Sequence, residues 1–391
     1  MTPPLVDYSV LDIMNRLRRH GFQAYLVGGC VRDILLGKNP KDFDVATNAR
    51  PQQIKRLFRR CYLIGRRFRL AHVYISHDRF VEIATFRAAV LPEQVTGGRF
   101  AANNVYGTIE EDALRRDFTV NALYYNSADA SILDYCGGLR DLKKRVVRSI
   151  GDPAKRFEED PVRIIRAARF CAQLGFELSA HDFRSALACA ELIKESNAHR
   201  MLEELYKILK CGASAETIRN LKKYRILQFW IPELVSGDYE GQMYKLLSAA
   251  DSRRRQGVEI SNAVLVTLLL FDLFAGAASA GGGQHGYQDT FTAINRDFRE
   301  LALRMHLPRR EWDAMCTIAA RHQTFTRING GKKWKSFERR FVRNPNFLDE
   351  LLFFEILSEA TGTYANELNY WRRRAAAAAN EGGGGPEPRK R

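Results

Sequence analysis

The sequence predicts a small mixed α/β head followed by an all-helical body. Three observations carry this. Short strand-like runs ending in glycine occur only before residue 150, helical spacing of apolar residues takes over from Asp160, and 391 residues are too many for one ordinary core.

The elements follow in order. Residues 7 to 20 place Val10, Ile13, Met14 and Leu17 on one helical face. Ala24 to Val27 is a short buried strand that ends in Gly28-Gly29, and Cys30 to Leu36 is a helix closed by Gly37. Phe43 to Ala46 is a second strand, and Pro51 opens a helix running to Arg60. His72 to Ser76 and Phe80 to Phe86 alternate like a hairpin. Residues 88 to 108, with Pro92, Gly97, Gly98 and Gly107, lack periodicity and predict a mobile loop. Asp117 to Tyr125 predicts helix, and Ile132 to Asp134 a strand. Beyond residue 150 no strand is expected. Residues 200 to 235, 243 to 275, 290 to 325 and 346 to 379 carry helical apolar stripes. Gly276 to Gly286 predicts a flexible loop, and the stretch from Glu381, without apolar residues, a disordered tail.

Composition narrows the function classes. Lys and Arg number 61 against 45 Asp and Glu, a net charge of +16, which attracts polyanions: nucleic acid first, an anionic membrane surface second. The seven cysteines have no C-x-x-C spacing and the histidines no H-E-x-x-H, which argues against zinc and suits reduced thiols in a cytoplasm. No signal pattern opens the chain, and the apolar stretch Ala263 to Ala280 is interrupted by Asp272, so no membrane span is expected.

The chemistry concentrates in three blocks. The first is Leu26-Val27-Gly28-Gly29-Cys30-Val31-Arg32-Asp33 followed by Lys41-Asp42-Phe43-Asp44. Two glycines at a strand end let a phosphate approach the backbone, the next helix offers free N–H groups, and Arg32 adds charge-assisted bonds. Asp42 and Asp44, two apart in a strand-like run, share a face and predict a magnesium site, suited to two-metal transfer with the ions roughly 4 Å apart. Gly-Gly before a helix is often only a turn, and Asp-x-Asp is common on surfaces. Their occurrence within seventeen residues, in strand–turn–helix–strand order, favours the functional reading.

The second block runs from Glu110 to Ala122 and contains Arg115-Arg116-Asp117. In a helix Asp117 and Asn121 lie one turn apart and can share a ligand, and Arg116 suits a triphosphate. A third active-site carboxylate is either Asp117 or Glu82, the latter charged within the strand Val81-Glu82-Ile83-Ala84. The third block is Glu158-Glu159-Asp160-Pro161-Val162-Arg163, continuing through Arg166 and Arg169. Asp160 suits a helix N-cap. Asp160 and Arg163 form an acceptor and a donor fork able to read a base edge, and Arg166 and Arg169 suit phosphates.

In order and spacing these blocks resemble the motifs of class II nucleotidyltransferases, the group of bacterial tRNA CCA-adding enzymes and bacterial poly(A) polymerases. The resemblance implies an α/β nucleotidyltransferase head over residues 1–148, a helical neck over 149–212, a helical body over 213–380 and a basic tail over 381–391. It implies metal binding at Asp42 and Asp44, with Mg²⁺ or Mn²⁺, and nucleotide contacts from Arg116 and Asp117 near the metals. Glu159, Asp160 and Arg163 would act as a protein template, and Gly29, Arg32, Arg166 and Arg169 would supply further nucleotide contacts. The segment Cys61 to Val73, with Arg66, Arg67 and Arg69, is similar to the poly(A) polymerase branch, as are Arg321-His322-Gln323, Trp334 to Phe337 and Tyr370 to Arg374. The loop between Phe86 and Tyr106 and the tail are shorter than in well-known members. ATP as substrate, RNA 3′ ends as partner and a cytoplasmic location follow as expectations. The alternatives are a CCA-adding enzyme and an inactive RNA-binding scaffold. Arg253 to Arg255, Lys332-Lys333, Arg339-Arg340 and Arg372 to Arg374 are expected to meet RNA phosphates, and Trp334 and Trp371 either stack bases or fill the core.

Overall fold

The computed structural model describes residues 6–65, 69–88, 105–235, 240–279, 286–328 and 331–381. They divide into two compact units, one within Met1–Glu159 and Gly175–Ala186, the other within Asp160–Leu174 and Leu187–Arg391.

The first unit is built on a seven-stranded mixed sheet. Its strands are β1 (Ala24–Val27), β2 (Asp44–Thr47), β3 (Cys61–Ile64), β4 (Leu70–Tyr74), β5 (Phe80–Thr85), β6 (Leu123–Asn126) and β7 (Ser131–Asp134). Their order across the sheet is β3-β4-β5-β2-β1-β6-β7. Only β2 and β5 run parallel, with Asp44 opposite Glu82 and Thr47 opposite Thr85. Helix α1 (Tyr8–Arg19) buries Val10, Ile13, Met14 and Leu17, each apolar side chain contributing about 1.5–3 kcal/mol relative to exposure. Asp7 caps it by accepting from Ser9 N. Helices α2 (Gly29–Leu35) and α3 (Pro51–Leu57) follow β1 and β2, Pro51 supplying a fixed φ in the first turn.

Two expectations are overturned here. Asp117 to Tyr125 is not one helix. A helix α4 (Ile109–Leu114), opened by a Thr108–Glu111 capping box, precedes it, then a 3₁₀ turn (Thr119–Asn121) leads into β6. Leu123, Tyr124 and Tyr125 are all buried, so β6 lacks the alternation that identifies a half-exposed strand. A strand also exists beyond residue 150. After α5 (Gly138–Lys144), β8 (Val146–Val147) pairs in parallel with β9 (Glu177–Leu178). Helix α6 (Pro153–Glu159) closes the continuous part of this unit. Val27, Ala46, Phe86, Ile109, Ala113, Ala122, Tyr124 and Ile150 form the core beneath the ends of β1 and β2.

Among its described residues the second unit is helical. Helices α7 (Val162–Leu174), α9 (Ala198–Lys210) and α10 (Ser214–Lys223) pack together. Between them in sequence, α8 (Ala180–Ala188) runs across the boundary of the two units. Each of the helical stripes read from the sequence comprises two or three helices. After α11 (Leu227–Trp230) come α12 (Glu240–Arg255) and α13 (Asn262–Ser279), then α14 (Tyr287–Asp297), α15 (Arg299–Arg304) and α16 (Arg309–Phe325), and finally α17 (Lys332–Val342), α18 (Phe347–Thr361) and α19 (Ala365–Glu381). Helix α13 is the apolar centre, packed by α12, α14, α16 and α18. No helix among the described residues is long and apolar enough to cross a membrane.

Trp371 is fully buried among Phe325, Phe341 and Phe347, and its Nε1 donates to Phe325 O at 3.0 Å, so it is a core residue and not a base-stacking one. Several arginines expected to meet RNA are held within the protein. Arg253 pairs with Glu355 and Glu359, Arg372 with Glu355, and Arg374 with Glu338. Lys332, Lys333, Arg339, Arg340 and Arg373 are exposed. Arg66, Arg67, the central part of the loop after β5, the Gly281-Gly282-Gly283 stretch and the tail beyond Glu381 lie outside the described residues.

Candidate active site

Strand β1 ends at Val27 and gives way to Gly28, whose φ of 77° is one that L side chains avoid. A Cβ there would lie 3.4 Å from Arg116 Nη1 and 3.6 Å from Asn121 O, so the glycine also makes room for Arg116. Around it the structure assembles a ring from distant parts of the sequence. Arg32 is buried and donates from Nη1 to Asn121 Oδ1 at 2.6 Å and from Nε to Asp33 at 2.9 Å. Asn121 Nδ2 donates in turn to Asp117 Oδ1 at 3.2 Å, and Asp117 Oδ1 also accepts from Phe118 N at 2.8 Å. Asp117 and Asn121 therefore meet as the spacing foretold, although a 3₁₀ turn brings them together.

Arg116 is fixed more firmly than its neighbours in sequence imply. Its Nε donates to Tyr124 Oη at 3.0 Å and its Nη2 to Asp112 Oδ2 at 3.1 Å, while Tyr124 Oη donates to Asp112 at 2.8 Å. Burial works against its charge, but Tyr124 and Asp112 outweigh burial and hold its pKa above the ordinary arginine value. From below, Arg156 Nη2 donates to Arg115 O at 2.8 Å and Arg116 O at 2.6 Å, and its Nη1 to Glu159 at 3.2 Å. Arg156, Asp112 and Tyr124 were not singled out from sequence, since each is one polar residue whose partner lies elsewhere in the chain.

The acidic side of the site lies at the start of β2. Asp44 is open to solvent, and Asp42 lies exposed two residues before it. Although part of its side chain meets solvent, the density of protein around the strand end raises the Asp44 carboxyl to about 6, and Glu82 and Asp42 add to the rise while Arg116 opposes it. Of the two candidate third carboxylates, Glu82 is the one in register with Asp44, whereas Asp117 is engaged with Asn121. Glu82 Oε2 also lies 3.3 Å from His72 Nε2. Among the described residues no three of His, Cys, Asp and Glu converge closely enough to form a closed protein cage for a metal. Asp44 with Glu82 opposite it and the exposed Asp42 two residues before it, on a solvent-open side, do fit a Mg²⁺ ion that shares its ligands with phosphate and water.

The third block divides between the units. Glu159, exposed, ends α6 in the first. In the second unit Asp160 precedes α7, which begins at Val162. Asp160 accepts two bonds from Arg200, at 3.1 and 2.8 Å, with Arg163 Nε 3.9 Å away. Arg166 and Arg169 both reach Glu204 at 3.2 Å. Burial alone would raise the Glu204 carboxyl, but Arg169 and Arg166 hold it below the usual range. Arg200 and Glu204 were missed from sequence. The available signal was Glu204 itself, an acid amid the apolar stripe of Met201, Leu202, Leu205 and Ile208.

Comparison with known proteins agrees with this geometry. Residues 24–148 match the family described as "Poly A polymerase head domain", and residues 175–237 the one described as "Probable RNA and SrmB- binding site of polymerase A". The chain is 35% identical to poly(A) polymerase I of Salmonella typhi over 385 residues, covering 94% of this chain and 82% of that one. It is 35% identical to the CCA-adding enzyme of Bacillus licheniformis over 210 residues, or 54% of this chain and 52% of that one. In fold it resembles the Bacillus stearothermophilus CCA-adding enzyme solved with CTP, with a TM-score of 0.68 and 24% identity over 99% of this chain and 90% of that one. The Gly28-Gly29 turn, the paired aspartates, the arginine–aspartate ring and these matches together place the chain in the class II nucleotidyltransferase family, among relatives of the bacterial poly(A) polymerases.

Proposed function

We propose that this chain extends RNA 3′ ends with AMP from ATP, without a template, and serves in mRNA polyadenylation and RNA decay in the cytoplasm. The carrying observation is the placement of Asp44 and Glu82 beside the ring that Arg32, Asn121, Asp117 and Arg116 form around Gly28. An acidic strand end next to two fixed guanidinium groups suits a reaction whose charge moves onto a leaving pyrophosphate. Arg32 and Arg116 receive the triphosphate, and the space left by Gly28-Gly29 admits it to the backbone. Asp42 and Asp44 would hold the ion, with Glu82 beside them; when bound, Mg²⁺ or Mn²⁺ supplies charge neutralisation and activation of a hydroxyl for in-line attack. Asp117 acts on the nucleotide together with Asn121. Base selection we assign to Glu159, Asp160 and Arg163, and phosphate contacts to Arg166 and Arg169. In functional terms residues 1–148 are the catalytic head, 149–212 the neck, 213–380 an RNA-binding body and 381–391 a basic tail.

Addition of CCA to tRNA is the second reading, since the same chemistry serves both. The fuller coverage by the poly(A) polymerase relative, 94% of this chain against 54% for the CCA-adding one, favours the first. The test is extension of an unstructured RNA, and of a tRNA lacking its terminal CCA, with Mg²⁺ and ATP, CTP or both. Long ladders on the unstructured RNA with ATP alone are expected. A CTP-dependent stop after about three additions on the tRNA, with no ladder on the other substrate, would overturn the assignment in favour of the second reading.

A further inference from the structure

The row of residues that contains Asp44 does not stop at the acidic site. Asp44 is in register with Glu82, Glu82 with His72, and His72 with Tyr62, across β2, β5, β4 and β3. These four lie on one face of the sheet, and the intervening residues Val45, Val81, Ile83, Ala71, Val73 and Cys61 are buried on the other. Beyond Glu82 this open face turns aromatic. His72 stacks on Phe80 with centroids 4.1 Å apart and planes 10° apart. Phe80 meets Tyr74 at 5.5 Å, and Tyr74 meets Tyr62 edge-on at 5.5 Å. Tyr62 is 61% exposed and Phe80 43%.

We propose that Tyr62 and Phe80, backed by Tyr74 and His72, form a stacking platform for the last bases of the single-stranded RNA whose 3′ end is extended at Asp44. This deepens the proposed function and rests on it. Three arguments select RNA as the occupant. First, Tyr62 is three strand spacings from Asp44, about 15 Å, within reach of the few nucleotides that precede a 3′ end held at the carboxylates. Second, exposed rings on a sheet bind bases without regard to sequence, because every base presents a π face. A polymerase without a template needs that tolerance, since its own product becomes the next primer. Third, the flanks carry the charge a backbone seeks: Arg60 precedes β3 and Arg69 precedes β4, both exposed. Nothing in the assigned chemistry uses these rings, and exposed tyrosine and phenylalanine in one contiguous patch call for a partner.

The test uses the full chain and an unstructured RNA carrying 2-aminopurine next to its 3′ nucleotide. Binding to the wild type without nucleotide should quench the fluorophore by stacking, and Tyr62→Ala or Phe80→Ala should abolish the quench. In steady-state extension with ATP each alanine variant should raise the RNA KM about tenfold, the loss of roughly one stacked base, with kcat and the ATP KM near wild type. Tyr62→Trp and Phe80→Trp should restore both readouts. An unchanged RNA KM in both alanine variants overturns the platform. So does wild-type behaviour of Tyr62→Leu and Phe80→Leu, which keep apolar cover and lack a ring. A wild-type chain that quenches the probe but extends no RNA would refute the polymerase reading and leave the platform standing.

Discussion

Asp44 and Glu82 lie directly opposite each other in the one parallel pair of the sheet, and after burial the charge of Glu82 is the largest cause that lifts the Asp44 carboxyl to about 6. Two consequences follow for activity. In the metal-free site Asp44 takes up a proton below about pH 6, so protons compete with the cation, and at limiting Mg²⁺ the rate should fall on the acid side. Removing the neighbouring charge with Glu82→Gln lowers the Asp44 pKa, so the acid limb should move to lower pH even as the maximal rate drops. That variant should also need more Mg²⁺ for half-maximal rate. Asp117→Asn, which leaves Glu82 in place, should impair the ATP KM without moving the acid limb. A profile that moves with Asp117→Asn and not with Glu82→Gln would exchange the roles of the two carboxylates.

Arg156 ties α6 to the turn after α4, donating to Arg115 O and Arg116 O, and is itself held within α6 by Glu159. A hydrogen bond from a charged donor contributes roughly 1.5–3 kcal/mol. Arg156→Ala should therefore release the Arg116 backbone and reduce kcat/KM for ATP by about ten- to a hundredfold. RNA affinity measured without nucleotide should be unaltered. Arg156→Lys, with one donor head in place of a fork, should recover part of the loss. Equal losses in RNA and ATP affinity would mean that the residue supports the fold of the unit as a whole.

In the second unit Arg200 holds Asp160 with two bonds, leaving the carboxylate oriented but with fewer free lone pairs. Arg200→Ala should let Asp160 rotate and weaken its choice between nucleotides. The expected outcome is a several-fold narrowing of the ATP over CTP preference in kcat/KM, with the thermal midpoint little changed because Arg200 is more than half exposed. An unchanged preference would detach Asp160 from base selection.

The head was legible where its signals are local. Gly28-Gly29, the apolar run before it and the paired aspartates after it occupy one short stretch, and the structure joins them through β1, α2 and β2. Strand β6 reads as helix in the sequence because Leu123, Tyr124 and Tyr125 are all buried and carry no period of two. Strand β3 has only four residues and borders a basic run, so nothing marked it. Arg200 lies 40 residues from the carboxylate it binds and Arg156 about 40 from the carbonyls it binds, distances at which a lone arginine gives no pattern to read. The exposed platform was invisible for a related reason. Tyr62, His72, Tyr74 and Phe80 belong to three strands, and only their register puts them side by side.

Asp272, which interrupts the apolar stretch of α13, supplies a prediction about stability alone. Burial raises its carboxyl to about 6, and a hydrogen bond from Met243 N, in the first turn of α12, partly opposes the rise. The group caps that helix at the cost of ionising in poor surroundings. An ordinary aspartate in an unfolded chain titrates near 3.9, and this one titrates higher when folded, so its contribution is complete below about pH 4 and is lost as pH rises through 6. Asp272→Asn keeps an oxygen to accept from Met243 N and removes the charge. At pH 4 and below the variant and wild type should melt at nearly the same temperature. At pH 8 the variant should be the more stable, by about 1–2 kcal/mol after allowance for partial solvent contact. A variant less stable than wild type at pH 8 would mean that ionised Asp272 gains more from the amino-terminal turn of α12 than burial takes away.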